Sequence, residues 1–226
     1  MSDFLYPFID AEETDSGSLL SDLAASARGK AEISAALQDS SLRLMADDIE
    51  ACGRAMAERF ADGGRLYTFG NGGSSTDAAT LAALFAQPAA GRPLPAWCLA
   101  ADQAVVTALG NDVGFELIFS RQIIAHSKPG DIAVALSTSG SSDDLMIALA
   151  EAGKRGLLTV GFAGYDGGKM AHSDGLDFCF TVDSQSIHRI QESHARIGHR
   201  IWSVAQERYR ELTKERRAAA AQGGAR

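Results

Sequence analysis

The run Leu66-Tyr67-Thr68-Phe69-Gly70-Asn71-Gly72-Gly73-Ser74-Ser75-Thr76-Asp77 begins as a short apolar stretch, crosses a glycine- and hydroxyl-rich turn, and enters a helical pattern that continues to Phe85. Residues Leu66–Phe69, bounded by glycine, read as a strand, and Asp77–Phe85 as the helix after it. The turn therefore joins the carboxyl end of a strand to the amino end of a helix. There, free backbone N–H groups, hydroxyls and the helix dipole favour an anion, and glycines let it come close. A tight strand-to-helix connection with no ligand gives the same string, so this turn alone does not decide between the two.

The pattern recurs downstream. Ser137-Thr138-Ser139-Gly140-Ser141-Ser142 follows the apolar run Ile132–Leu136 and precedes the helical pattern Asp143–Ala152. A helix N-cap uses one hydroxyl, and this segment supplies several in succession, which points to a phosphate cradle. Further strands are expected at Ala96–Leu99, Leu158–Phe162 and Phe178–Val182, with a weaker helix near Val105. Strands alternating with helices predict an α/β fold with a mostly parallel sheet covered on both faces. Ligands of such sheets bind at the carboxyl ends of the strands where the winding reverses, so two hydroxyl-rich loops at that edge can enclose one small phosphorylated molecule. A dinucleotide site fits less well, because Ser75 falls where the third glycine of G-x-G-x-x-G belongs and Asp102 lies too far along for the ribose.

Two helices precede the first strand. Leu20, Leu23, Ala24 and Ala27 trace one apolar stripe, and Met45, Ile49, Cys52, Met56 and Phe60 a stronger second one. Such a pair must pack on the sheet or on a second subunit. Residues 1–18 form an acidic arm with Asp3, Asp10, Glu12, Glu13 and Asp15 beside Phe4, Leu5, Tyr6 and Phe8. A last helix carries Ile190, His194, Ile197, Ile201 and Val204, then fades. The expected organisation is an arm over 1–18, one domain over 19–212 and a disordered tail over 213–226.

With 226 residues, 46% of them hydrophobic, the chain fits a single domain. A net charge of −8 argues against direct nucleic-acid binding and against an anionic membrane. No apolar run spans a bilayer and the first residues lack a signal-peptide pattern, so the expected location is cytoplasmic. Cys52, Cys98 and Cys179 show no C-x-x-C pairing and read as buried free thiols.

Taken in order, Gly70-Asn71-Gly72-Gly73-Ser74 with Asp77, then Asp102, Gly110-Asn111-Asp112, Ser137-Thr138-Ser139-Gly140, Asp166-Gly167-Gly168, and Arg189-Ile190-Gln191-Glu192 with His194 and His199 resemble the sugar isomerase (SIS) domain family. Within it the chain is similar to the bacterial phosphoheptose isomerases, which interconvert sedoheptulose 7-phosphate and a heptose 7-phosphate. The resemblance runs from about Leu20 to Arg208. It implies a flavodoxin-like five-stranded parallel sheet flanked by helices, in a homotetramer with sites at subunit interfaces. It implies that Ser137, Thr138, Ser139 and Ser142 take the phosphate, with Asn71, Gly72, Gly73, Ser74, Asp102 and Gln191 near the sugar.

The departures bear on the chemistry. In those isomerases a His and a Glu on the helix after the first loop join a Gln and a His of the last helix around zinc, and the Glu serves as base. By position this chain has Thr80 and Leu84 there, and keeps Gln191 and His199. Two ligands make a weak zinc site, so no metal and no other cofactor is expected. His199 is the candidate general acid or base, with a packing role as the alternative. His194, on the apolar stripe, reads as structural. Glu192, seven residues before His199, could orient it, and Asp77 in the first turn of a helix could serve the dipole. His188 stands where the isomerases carry Asp. Three functions stay open: an isomerase of the phosphoheptose class, a non-catalytic sugar-phosphate sensor or protein-binding regulator like the relatives that bind the replication initiator, and a subunit paired with an active paralogue. The arm and tail are the candidate segments for a protein partner.

Overall fold

The computed structural model describes residues 16–223, with side-chain environments over 17–220. Strands β1 (Leu66–Gly70), β2 (Ala96–Cys98), β3 (Ile132–Leu136), β4 (Leu158–Gly164) and β5 (Phe178–Val182) form one sheet in the order β2-β1-β3-β4-β5, all pairs parallel. Around it lie α1 (Ser16–Leu44), α2 (Ala46–Ala61), α3 (Gly73–Ala86), α4 (Gln103–Asp112), α5 (Ile118–His126), α6 (Asp143–Lys154), α7 (Gly168–Ala171) and α8 (Ile187–Gly223). This is the flavodoxin-like architecture expected from the sequence. The winding reverses between β1 and β3, the two strands that feed the hydroxyl-rich loops.

Alternation along the strands sorts the core into two layers. Leu66, Ile132, Val134, Leu136, Val160 and Phe162 pack with α2, α3 and α8, whereas Tyr67, Phe69, Ala133, Ala135 and Ala163 pack with α5 and α6. The alanines of β3 leave room for Phe69, whose ring lies 5.3 Å from that of Phe119. Burying one such aromatic ring contributes about 1.5–3 kcal/mol. Glycines set two helix contacts that frame the site. A β-carbon at Gly53 would strike Val204, and one at Gly198 would come within 3.1 Å of Leu81, so α2 and α3 both lie close to α8. Asp131, fully buried, accepts from the backbone N–H of Arg65 and of Lys128, each at 2.8 Å, and fixes the entry to β3 beside that of β1.

Several boundaries differ from the sequence reading. α3 begins at Gly73 and not at Asp77, because the loop residues themselves take helical geometry. α5, with the 3-10 turn Phe115–Leu117 before it, was not expected: Gln122 interrupts its apolar face, and its amide, buried, donates to the carbonyls of Leu99 and Ile118. The tail expected to be disordered from 213 is helical to Gly223. Arg208 pairs with Glu211 and Glu215 along α8, and Arg216 reaches Asp62 and the Ala61 carbonyl at the end of α2.

Helix α1 starts at Ser16; the arm expected over 1–18 falls outside the described residues up to 15. The stripe read as its packing face stands in solvent, with Leu20 66% and Leu23 57% exposed. The later part of α1 holds the body instead, through buried Ser34 and Ser41 and an Arg196–Asp39 pair at 3.0 Å. All three cysteines are free. Cys52 is buried, which pushes its thiol pKa up, while Cys98 and Cys179 are half-buried. Among the described residues no helix is long and apolar enough to cross a membrane.

Candidate functional site

Two helix N-termini meet at the switch point. α3 opens after Gly72 (φ +54°) and α6 after Ser142, neither with a side-chain cap bond, so their first amides are left without the usual side-chain acceptor. The Asn71 amide joins them. Its Nδ2 donates to both carboxylate oxygens of Asp144, at 2.8 and 3.1 Å, and Asp144 is buried in the first turn of α6. The neighbouring Asp143 pairs with Lys169 at 2.5 Å, which offsets a charge that would otherwise oppose an anion here.

The second loop is partly self-supporting. Ser137 Oγ accepts from Gly140 N at 3.0 Å and Ser139 Oγ from Ser141 N at 3.3 Å, so these two hydroxyls shape the turn. Thr138 and Ser142 make no side-chain hydrogen bond among the described residues. The Asp166-Gly167-Gly168 turn backs this loop. Met170 N donates to Gly140 O, Lys169 N to Ser141 Oγ, and a β-carbon at Gly140 would sit 2.1 Å from Gly167 O.

The first loop's glycines divide their tasks. Gly72 is left-handed with open space where a side chain would project, and so presents bare backbone. At Gly73, itself exposed, the Gln191 amide of α8 lies 2.7 Å from the position of a β-carbon. Ser74 is buried in the first turn of α3. Asp102 caps α4, accepting from Val105 N at 3.1 Å, and lines a separate cavity of about 370 Å³ beside Tyr67 and Trp97.

Behind Gly73, a cleft of about 70 Å³ opens between α3 and α8, lined by Asp77, Thr80, Leu84, Leu136, His194 and Gly198 among others. Asp77 lies in the second turn of α3, so it is not the first-turn dipole residue the sequence suggested. Its Oδ2 accepts from Gln191 Nε2 at 2.7 Å; burial raises the pKa of the carboxyl and this hydrogen bond partly opposes the rise. Thr80 donates its hydroxyl hydrogen to Thr76 O at 2.9 Å. His194 Nε2 lies 2.9 Å from Ala163 O; a carbonyl can only accept, so Nε2 carries the hydrogen and Nδ1 is a bare acceptor, buried and without a partner. Burial lowers the His194 pKa to about 4, against the bond to Ala163, and the ring is neutral. His194 thus ties α8 to β4, the structural role read from the sequence.

His199 is not brought into this cleft. It is exposed on α8, its ring 5.2 Å from that of Trp202. Nor does Glu192 orient it: that carboxylate accepts from Ser34 and Gln38 of α1. His188 lines a third cavity, between α1 and α8, with Lys30 and Arg189. The donor set does not fit zinc. Leu84 has no ligand atom, Thr80 offers only a neutral hydroxyl, and neither Gln191 nor His199 lines the cleft. Among the described residues no three His, Cys, Asp or Glu side chains are grouped to hold a metal ion. Sequence reasoning missed Asp144 as the partner of Asn71, since an acid in a first turn carries no mark of what it binds.

The chain's residues 31–164 match the model of the SIS domain. It is 39% identical over 168 residues to the phosphoheptose isomerase of Aquifex aeolicus, covering 74% of this chain and 87% of that protein. It is 42% identical over 164 residues to that of Rhodospirillum rubrum, covering 70% and 84%. The structure of a phosphoheptose isomerase from Francisella tularensis superposes with a TM-score of 0.76 at 27% identity, covering 81% of this chain and 98% of that one.

Proposed function

The chain belongs to the SIS domain family and is phosphoheptose isomerase-like, and from that premise we propose that it binds a phosphorylated sugar without performing the zinc-assisted isomerisation of its relatives. The observation that carries this reading is the pair of helix N-termini without side-chain caps, joined by Asn71 and Asp144 at the carboxyl edge of β1 and β3. The phosphate meets the amides of the second loop with the Thr138 and Ser142 hydroxyls, and Ser137 and Ser139 hold that loop in shape. Gly72, Gly73, Ser74 and Gln191 bound the sugar on the first-loop side, while Asp102, in its separate cavity beside Tyr67 and Trp97, is left out of the site.

Proton transfer between adjacent sugar carbons needs a positioned base, and losing it costs about two to four orders of magnitude in rate. Leu84 cannot serve, and His199 within one chain lies outside the cleft. A sensor or regulator that reports the sugar to a protein partner fits these residues better than an enzyme. The isomerase reading, which follows the relatives' names, is favoured by one observation: Asp77 is a half-buried carboxyl whose raised pKa suits a base. We further propose a cytoplasmic homo-oligomer, a tetramer as the resemblance implies, in which the exposed stripe of α1 is covered by another copy.

Single-turnover assays of sedoheptulose 7-phosphate, with calorimetric binding of the same compound, test the reading. Binding without turnover is expected, with turnover appearing in a Thr80→His, Leu84→Glu double variant supplied with zinc. Turnover by the natural chain that Asp77→Asn abolishes would establish the isomerase instead.

A further inference from the structure

The cavity of about 370 Å³ beside Tyr67 and Trp97 lies apart from the sugar site, and its two ends differ in chemistry. One wall is flat and aromatic. Tyr67 and Trp97 are register partners on β1 and β2, with ring centres 6.1 Å apart and planes 26° from parallel, and Trp97 is 49% exposed. Where β1 begins stand His126 and Arg65, whose guanidinium carbon is 5.6 Å from the Trp97 ring centre. Where β2 runs into α4 stand Asp102 and Gln122. Gln122 is 6% exposed, and its amide nitrogen donates to the carbonyls of Leu99 and Ile118, each at 3.0 Å. Carbonyls only accept, so both amide hydrogens are used there, and Oε1 is left an acceptor with no donor among the described residues. Unlike His194 Nδ1, this oxygen is not closed off from solvent, on a side chain that lines the cavity. Asp102 accepts from Val105 N through one carboxylate oxygen, and the other is unengaged among the described residues.

The cavity thus offers a flat apolar wall, a cation at one end and two unmet acceptors at the other. We infer that it is a second ligand site, for a nucleotide with an amino-bearing purine base. The ring stacks on Trp97, the amino group gives its two hydrogens to Gln122 Oε1 and Asp102, and the phosphate meets Arg65. The volume lies within the range of about 300–1,000 Å³ common for small-molecule sites. A sugar phosphate could use Arg65 but has no aromatic face to set against Tyr67 and Trp97. The site also stays open in an oligomer built through α1, because α1 packs with the α2 and α8 layer, whereas Tyr67 points to the opposite face of the sheet. Asp102, apart from the sugar site, has a function here.

The test is calorimetric binding of adenosine, guanosine and inosine monophosphates, the corresponding nucleosides and sedoheptulose 7-phosphate to the full chain and to Trp97→Ala and Arg65→Gln, with thermal melts to verify folding. One of the two amino-bearing nucleotides is expected to bind at least ~10-fold tighter than inosine monophosphate, which lacks the amino group. Trp97→Ala should weaken that nucleotide at least ~10-fold, as the loss of one stacked base does. Arg65→Gln should reduce it to the affinity of its nucleoside. Neither variant should alter binding of sedoheptulose 7-phosphate, and the two ligands should bind together. No binding of either amino-bearing nucleotide, equal binding of inosine monophosphate, or binding that Trp97→Ala leaves unchanged overturns the inference. Displacement of the nucleotide by sedoheptulose 7-phosphate overturns it too, since the nucleotide's phosphate is then in the loop cradle.

Discussion

At Gly73 the Gln191 amide occupies the space a β-carbon would need, and the obstacle is the far end of a flexible side chain. Gly73→Ala should therefore cost under about 1 kcal/mol of stability, yet displace Gln191 and weaken sugar-phosphate binding roughly tenfold. Paired calorimetry and urea titration separate the two effects. Gly140 is the contrasting case: its φ is +62° and the obstacle is the backbone of Gly167, so Gly140→Ala should lose about 2 kcal/mol or more and shift the urea midpoint directly. His194 predicts a pH dependence. Its folded pKa of about 4 lies below the ordinary 6.5, so between these values the unfolded chain takes up a proton that the folded chain refuses. The stability is present in full above 6.5 and falls as pH drops toward 4, by about 3 kcal/mol. Asp77, with its pKa raised, acts in the opposite sense. His194→Gln, which can keep a donor to Ala163 O and does not titrate, should remove the histidine's share of the slope in urea midpoints measured from pH 4.5 to 7.5.

Among the elements, the joint between α3 and α6 depends on Asn71. Asn71→Ala leaves the buried Asp144 carboxylate without its donor and should cost about 3 kcal/mol, with Asp144→Asn far milder; chemical denaturation of both variants measures it. None of this pairing could be read from Asn71 or Asp144 in the sequence, because it joins residues 73 positions apart through side chains. What the sequence does carry is repetition: apolar runs of strand length, followed by helical spacing, locate the strands, most firmly the central β1, β3 and β4, which are buried along their whole length. β3 matches its expected limits for that reason, and β5, at the sheet edge and only partly buried, matches through its short apolar run. α5 escaped because a buried polar residue, Gln122, satisfied by two backbone carbonyls, looks in sequence like a break in the stripe. The site divides in the same way. The loops are legible, since glycines and hydroxyls are rare enough in succession to stand out, whereas the cleft depends on which face α8 turns toward α3, and that is set by the tertiary contact at Gly198.

For the whole molecule, the exposed Leu20 and Leu23 on the unpacked part of α1 predict that association depends on this stripe. A Leu20→Ser, Leu23→Ser variant should elute with a smaller mass than the natural chain in light scattering, while its circular dichroism stays unchanged. The chain's two kinds of site residue also come from different places. Backbone amides and small hydroxyls stand at the sheet edge, and the α3–α8 cleft is lined by side chains of two flanking helices. The first kind is set by the winding of the sheet; the second hangs on helix surfaces, where Leu84 packs against the core without shaping the sheet. Descent can therefore rewrite the workbench while the vise stays the same. A protein of this build will announce from its loops what it grips long after its helices have stopped saying what is done with it.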